Sequence, residues 1–423
     1  MGELRIAHPF KGGIVWRRVQ VPKGRLNRGL VRCKNSTLWN LRESGFQTFN
    51  SERVAGDAAC VVVMRAKTWH ELNVAMQTLL KPNFLSVRSI LVALLLTSLA
   101  TVHAADHPSA APGITSLTAK SVKFTVPKDH HVVLKRGPIT AIIVDNHAVD
   151  VPELPKHRSG YNGVASLRHE KSATNLFVEG IAGLNFEHIH DGTMAVNAEK
   201  FEPRRAPMEL RVVDPFTVEL YQPATANWKL ESCGRYQLQS DGTLEYTFEC
   251  VPRAATFGQG YIGLFWASYI AAPEDAAIHF RGHEAAASGS GEWLRTVTPA
   301  HGVDSTHPPT GALPHVPFHA DFPLTLANHR SRYAHTEPWY FGVSHDMAFV
   351  QMFRQRDRIW FAQSPDGGGR NNPAWDFQWF ITDWKVGESY GFVMRATLVP
   401  FENRARIERV TRAHRSALNP ATP

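Results

Sequence analysis

The stretch from Cys233 to Cys250, CGRYQLQSDGTLEYTFEC, reads as two strands around a tight turn. Asp241-Gly242 is a two-residue hairpin signal, because both residues tolerate the positive φ that a type I′ turn demands. Cys233 and Cys250 are equidistant from that pair, so a two-residue loop makes them face each other. Counted outward from Ser240 and Thr243, they fall on a non-hydrogen-bonded pair, where Cα atoms approach to about 4.5 Å. That separation is within a disulfide's reach. Two reduced core thiols are the alternative; the register and the export signal described below favour a bridge.

The same texture continues on either side of the hairpin. From residue 121 onward short β-branched and aromatic runs recur between turn signals: SVKFTV, HVVLKR, TAIIVD, FTVELY, AFVQMF, RIWFAQS and YGFVMRATLV. No helical period persists over three turns before the tail ENRARIERVTRAHRSAL (402–418), a charged helix expected to be a surface appendage. MELRVV is open between the end of a short helix and the start of a strand. The fold class expected is all-β, a large antiparallel β-sandwich with long loops at 283–337 and 364–376.

The chain carries a formal net charge of +8 over 423 residues. That charge is confined to the beginning: residues 1–105 hold 15 Lys/Arg and 5 Asp/Glu, whereas 106–423 hold 31 and 33. A near-neutral body offers no footprint for a phosphate backbone, which excludes nucleic acid as a partner. From Met76, MQTLLKPNFLSVRSILVALLLTSLATVHA has basic residues, an apolar run and small residues at the cleavage position, the pattern of a secretory signal. The run is shorter than the ~20 residues of a membrane span, so no stable membrane insertion is expected after cleavage. The division expected is 1–75, a mis-called upstream extension; 76–105, the signal peptide; 106–120, a disordered linker; 121–402, the β-sandwich; and 403–423, a charged tail. The mature protein is expected in the periplasm or outside the cell.

NFEHIHDG, Asn185–Gly192, holds the densest chemistry. In regular strand geometry Phe186, His188 and His190 share one face, and Glu187, Ile189 and Asp191 the other. Imidazoles about 6.6 Å apart at the backbone can share a metal ion, move protons, contact a sugar, or simply line a strand. A metal site needs a third ligand, and none follows closely in sequence. PAWDFQWF alternates Trp375, Phe377 and Trp379 against Asp376 and Gln378, and a carboxylate between tryptophans is a paired charge or a site residue. Five of the eight tryptophans after residue 105 fall between Trp339 and Trp384; core packing is the better reading for any one of them. His301, Asp304, His307, His345 and Asp346 complete the inventory. No G-x-S-x-G, C-x-x-C or H-E-x-x-H occurs, so the hydrolase-elbow, zinc-ribbon and zincin readings lack their motifs.

At NFEHIHDG, WKLESC, FGQGYIGLFWASYI and NPAWDFQWF the chain resembles an uncharacterised exported bacterial group of the galactose mutarotase-like (aldose 1-epimerase-like) superfamily, over about residues 120–402. The resemblance implies a supersandwich with a sugar-binding cleft on one open sheet face. It carries a catalytic role to His188 or His190, although Glu187 stands where the family has Asn and Asp191 where it has Gly. No segment matches the family's second His motif or its C-terminal Glu, so Asp376 is only a positional candidate for the base. The expectation is a carbohydrate-active protein using His188, His190 and Asp376 for acid–base catalysis, with Arg354, His345, Trp375 and His301 contacting substrate and no cofactor. A non-catalytic glycan-binding protein, or a metal-dependent enzyme using His188 and His190 with a loop histidine such as His301, are the alternatives.

Overall fold

Alternating apolar residues build two sheets that share one aromatic core. The computed structural model describes residues 110–193, 199–287, 289–322 and 328–420, and the backbone of five strands before residue 51. Two compact units result, Met1–Val102 and His103–Pro423. In the first, Gly2–Phe10 pairs with Gly13–Val21, and Gly29–Arg32, Thr37–Arg42 and Gly45–Asn50 form a second antiparallel sheet; the sequence reading assigned no element there. The expected signal segment, 76–105, lies outside the described residues. No helix among the described residues is long and apolar enough to cross a membrane.

The second unit is an all-β antiparallel sandwich. Its nine-stranded sheet runs, in spatial order, Glu209–Asp214, Thr217–Gln222, Leu230–Leu238, Leu244–Pro252, Tyr390–Pro400, Met347–Phe353, Tyr333–Ser344, Ile278–Glu284 and Glu292–Thr296. The five-stranded sheet runs Asn185–His190, Tyr261–Ala267, Ala374–Thr382, Trp360–Ser364 and Thr306–His307. MELRVV therefore opens a strand. The inner faces meet in one cluster, with Phe186, Trp266 and Phe377 packed against Phe248 and Phe392. Trp266 stacks on Phe186 at 5.0 Å and on Phe377 at 5.2 Å between ring centroids, the geometry in which aromatic pairs add to simple burial.

The decisive hairpin is present with a different turn. Gln239 N–H donates to Thr243 O at 2.8 Å, Gly242 N–H donates to Gln239 O at 3.0 Å, and Gly242 has φ +87°. The loop is three residues, Ser240-Asp241-Gly242, with glycine in the left-handed position of a bulged turn. One added residue shifts every pair: Cys233 faces Glu249 and Ser232 faces Cys250. Because side chains alternate, a one-residue slip sends the two cysteines to opposite faces. Cys250 joins the core, while Cys233 Sγ lies 3.6 Å from a Glu219 oxygen on the outer face. The expected disulfide is thus corrected; both cysteines are free and buried.

Two segments expected to be loose are packed. Residues 110–120 strap across the nine-stranded sheet, where Glu249 accepts N–H bonds from Gly113 at 2.7 Å and Ile114 at 3.0 Å, and the Thr115 hydroxyl at 2.5 Å. Glu219 accepts from Ser116 N–H at 3.1 Å. The tail helix, Arg404–Leu418, is capped by Asn403, whose side chain accepts from Arg406 N–H at 2.9 Å. Ile407 and Leu418 bury against Trp339, Phe341 and Val350, so the helix covers the outer face of the sheet and is no appendage.

Two outcomes follow. Peptide mapping of native protein will find Cys233 and Cys250 reduced and unlabelled by iodoacetamide, and both alkylated after denaturation without reductant. Glu249→Gln, which places an amide NH₂ among those N–H and hydroxyl donors, will cost about 3 kcal/mol in denaturant unfolding.

Candidate functional site

The outer face of the five-stranded sheet carries the chemistry, and a β-bulge puts it there. Pairing of 185–190 with 261–267 runs Phe186 to Trp266 and then His188 to Phe265, skipping Glu187. The extra residue corrects the regular alternation. Phe186 and Ile189 point into the core, while Glu187, His188 and His190 share the other face. From 374–382, Trp375, Phe377 and Trp379 point inward, so Asp376 and Gln378 join them outside. Gly263, opposite His190, makes room for its ring: a Cβ there would lie 2.5 Å from the imidazole.

Glu187 sits at the centre of this face. It accepts from Arg204 Nη1 at 2.8 Å and from the Tyr269 hydroxyl at 2.7 Å, and His188 Nε2 lies 3.6 Å away. Arg204 is delivered by the helical turn Glu202–Arg205, which Glu202 anchors by accepting N–H bonds from Asn227 at 2.6 Å and Trp228 at 3.0 Å. Burial raises the proton affinity of Glu187, against the opposing pull of Arg204. Burial raises that of Asp376 far more, with only the Ser268 N–H bond at 2.9 Å favouring its charge. The histidines move the other way. Burial, then Lys200 and Arg204, hold His188 well below its ordinary value, and burial pushes His190 down to about 3. The face therefore presents carboxyls that tend to keep protons beside imidazoles that tend to stay neutral.

Among the described residues, several buried polar atoms here have no hydrogen-bond partner: both ring nitrogens of His190, His188 Nδ1, the Tyr261 hydroxyl, Gln378 Oε1 and Trp360 Nε1. Buried polar groups are normally paired, so such a concentration on one face is unusual. Aromatic rings stand among them; His190 lies 6.0 Å from Tyr261, 5.3 Å from Phe322 and 6.2 Å from Phe380 between centroids. The 313–322 loop lies over this end, with Val316 against Tyr261 and Trp360. Beside the Glu187 end a cavity of about 630 Å³ opens, with Arg204, Arg205, Phe201, Asn146 and His147 in its wall. Phe201 is also the edge-on neighbour of His188, 4.4 Å between centroids, so one ring separates the cavity from that imidazole.

Of the residues expected from sequence, His188, His190 and Asp376 are brought to this face. Trp375 is a core residue whose indole N–H donates to Ala276 O at 3.0 Å. Arg354 closes a strand of the other sheet, its Nε 2.7 Å from Asp357 Oδ2. His345 and Asp346, with φ of +51° and +58°, form the turn between 333–344 and 347–353. His301 is exposed, with its Nε2 2.5 Å from Asp366 Oδ1. These four therefore lie apart from that face. Nor do His188 and His190 acquire a third ligand: among the described residues the three-residue donor cluster lies elsewhere, at His130, Asp145 and His147. Glu187 and Gln378 stood in the quoted motifs; the alternation of PAWDFQWF already set Gln378 beside Asp376, whereas the side of Glu187 depends on the bulge. Tyr261 and Tyr269 lay in the quoted FGQGYIGLFWASYI but were not singled out, and Arg204 carried no sequence signal, since only folding brings it near Glu187.

No protein-family model and no curated protein matches the chain. Among solved structures it is similar to a putative aldose 1-epimerase from Escherichia coli K12, at 9% identity and TM-score 0.38 over 66% of this chain and 100% of that one. The Slr1438 protein from Synechocystis sp. PCC 6803 aligns at 10% identity and 0.37, over 66% and 99%. The α-N-acetylgalactosaminidase NagBb from Bifidobacterium bifidum aligns at 11% and 0.36, over 67% and 38%. Likenesses this distant decide nothing about activity.

The low proton affinity of His190 makes a sign-definite prediction. An unfolded histidine binds a proton below about 6.5, and the folded one does so only near 3. Between those values the unfolded state holds more protons, so the stability His190 contributes is present above 6.5 and is lost as pH falls toward 3. His190→Phe will flatten the fall of unfolding free energy between pH 6 and 4 by at most about 1.4 kcal/mol per pH unit, measured by denaturant titration.

Proposed function

We propose that the protein is an exported carbohydrate-active enzyme performing acid–base catalysis on an aldose or an oligosaccharide end. The observation that carries this reading is the face just described, on which a buried carboxyl, a neutral imidazole and unpartnered polar atoms are interleaved with aromatic rings beside an open cavity. Sugars are bound by hydrogen bonds to hydroxyls and by aromatic contact with C–H faces, and a concave site with a few convergent polar groups is the usual place for both. The resemblance of NFEHIHDG and NPAWDFQWF to the galactose mutarotase-like superfamily points the same way.

The roles differ from the positional assignment made on sequence. Ring opening needs a base to take the anomeric hydroxyl proton and an acid to protonate the ring oxygen as the C–O bond breaks. A neutral imidazole suits the base, so His188 takes that role. A carboxyl whose proton affinity is raised by burial suits the acid, so Glu187 takes that one, with Arg204 and Tyr269 orienting it. Asp376, the base in the sequence reading, lies deeper and would hold its own proton. Closure from the other carbonyl face returns both protons and gives the second anomer.

A non-catalytic glycan-binding protein is the second reading, favoured by the burial of His188 and His190 behind Phe201 and the 313–322 loop. Polarimetry on freshly dissolved α-glucose and α-galactose separates the two. The wild-type chain is expected to accelerate mutarotation, with Glu187→Gln and His188→Ala each losing roughly 10²-fold or more. The rate should fall at high pH as the carboxyl loses its proton. No acceleration over buffer for any common aldose sinks the epimerase version; sugar binding that persists in both variants supports the binding protein.

A further inference from the structure

A second cluster lies apart from the proposed catalytic face and is built differently. Asp145 directly follows the strand Ile139–Val144, and His130 directly precedes its partner His131–Arg136. The pair His131–Val144 closes that ladder, and Asp145 N–H donates to His130 O at 3.3 Å, so the two residues are held opposite each other by backbone. His147 follows two residues on, and its N–H donates to Asp145 Oδ1 at 2.8 Å, which fixes the carboxylate. His130 Nδ1 lies 2.8 Å from Asp145 Oδ2, and His147 Nδ1 lies 3.1 Å from Asp145 Oδ1. The two rings stack at 3.7 Å with 19° between their planes. The donor atoms of all three residues fall within 4.8 Å of one another.

From this we infer that His130, Asp145 and His147 form a site for a late first-row divalent ion, zinc first among them. Ligand atoms about 2.1 Å from one tetrahedral ion are about 3.4 Å from each other; the two nitrogen–oxygen separations here, 2.8 and 3.1 Å, must widen and the stacked rings must turn so that both Nδ1 atoms aim at one ion, a movement open to side chains half in solvent. Two imidazole nitrogens and one carboxylate are the borderline donor set that such ions prefer over magnesium or calcium. The carboxylate is buried while both imidazoles are about half exposed, at 45% and 54% of the side chain. Neither ring is held in place by core packing, and stacking two of them on one carboxylate orders both side chains. Three protein ligands leave a fourth position open. His147 also lines the 630 Å³ cavity with Arg204 and Arg205, a cationic wall that suits an anionic fourth ligand.

The test uses the full chain stripped with chelator and reloaded with zinc or cobalt. The first unit carries its own Cys and His residues, so the readout is a difference between proteins. Calorimetric titration and elemental analysis after gel filtration are expected to give the wild type one zinc equivalent more than His130→Ala/His147→Ala. Cobalt is expected to produce visible four-coordinate absorption in the wild type that the double variant lacks. Because both rings are half exposed, the variant should keep the wild-type melting temperature without metal. Asp145→Asn provides a second arm and should lose the same equivalent. Equal stoichiometry in all three proteins would overturn the site and leave the cluster a hydrogen-bonded clamp. Should the double variant melt early, absence of the cobalt absorption from the wild type would do the same. Mutarotase activity plays no part in these readouts, so failure of the proposed function leaves them intact.

Discussion

Trp266 holds the sandwich and its polar face in one arrangement. Its indole is stacked between Phe186 and Phe377 on neighbouring strands, meets Phe248 and Phe392 of the opposite sheet edge-on, and donates from Nε1 to the Tyr246 hydroxyl at 3.0 Å. Three strands of the small sheet thus have their inner side defined by a single side chain. Because strand side chains alternate, defining the inner side defines the outer one. Glu187, His188, His190, Asp376 and Gln378 are turned away from the core as a consequence of that packing, and the bulge at Glu187 adds one more group to the row.

Placing ionisable groups on a face that loops then cover gives them unusual proton affinities. Desolvation disfavours whichever form is charged, so it lifts carboxyls and lowers imidazoles. Here both kinds occupy one surface, and Arg204 partly offsets the lift of Glu187 without reaching the deeper Asp376. Neighbouring groups of opposite tendency are the arrangement from which acid and base roles are commonly drawn.

The cluster at Asp145 is organised by the other available means. It rests on a strand pair and an Asx-type turn at the edge of the fold, with its imidazoles half in solvent. Arg204 is the common element between the two places, since it pairs with Glu187 on one side and lines the cavity that His147 reaches on the other. Exposed His301 and half-buried His345, by contrast, are taken up by Asp366 and by Ala271 O and belong to neither.

Local pattern alone determined the strand-rich class, the hairpin at residues 233–250, the final helix and the alternation of PAWDFQWF, because each depends on residues a few positions apart. It also marked His188, His190 and Asp376 as candidates, since their residue types are chemically loaded wherever they fall. Register was beyond it. Asp241-Gly242 fits a two-residue or a three-residue loop, and only the pairing of Leu238 with Leu244 chose the second and parted Cys233 from Cys250. The same holds for the bulge at Glu187, which exists because Phe186 and Ile189 must both meet a core supplied by strands more than fifty residues away. Arg204 beside Glu187, the strap of 110–120 on Glu249 and the stacking of His130 on His147 are contacts between distant segments. Burial and register, which the whole chain decides together, select them.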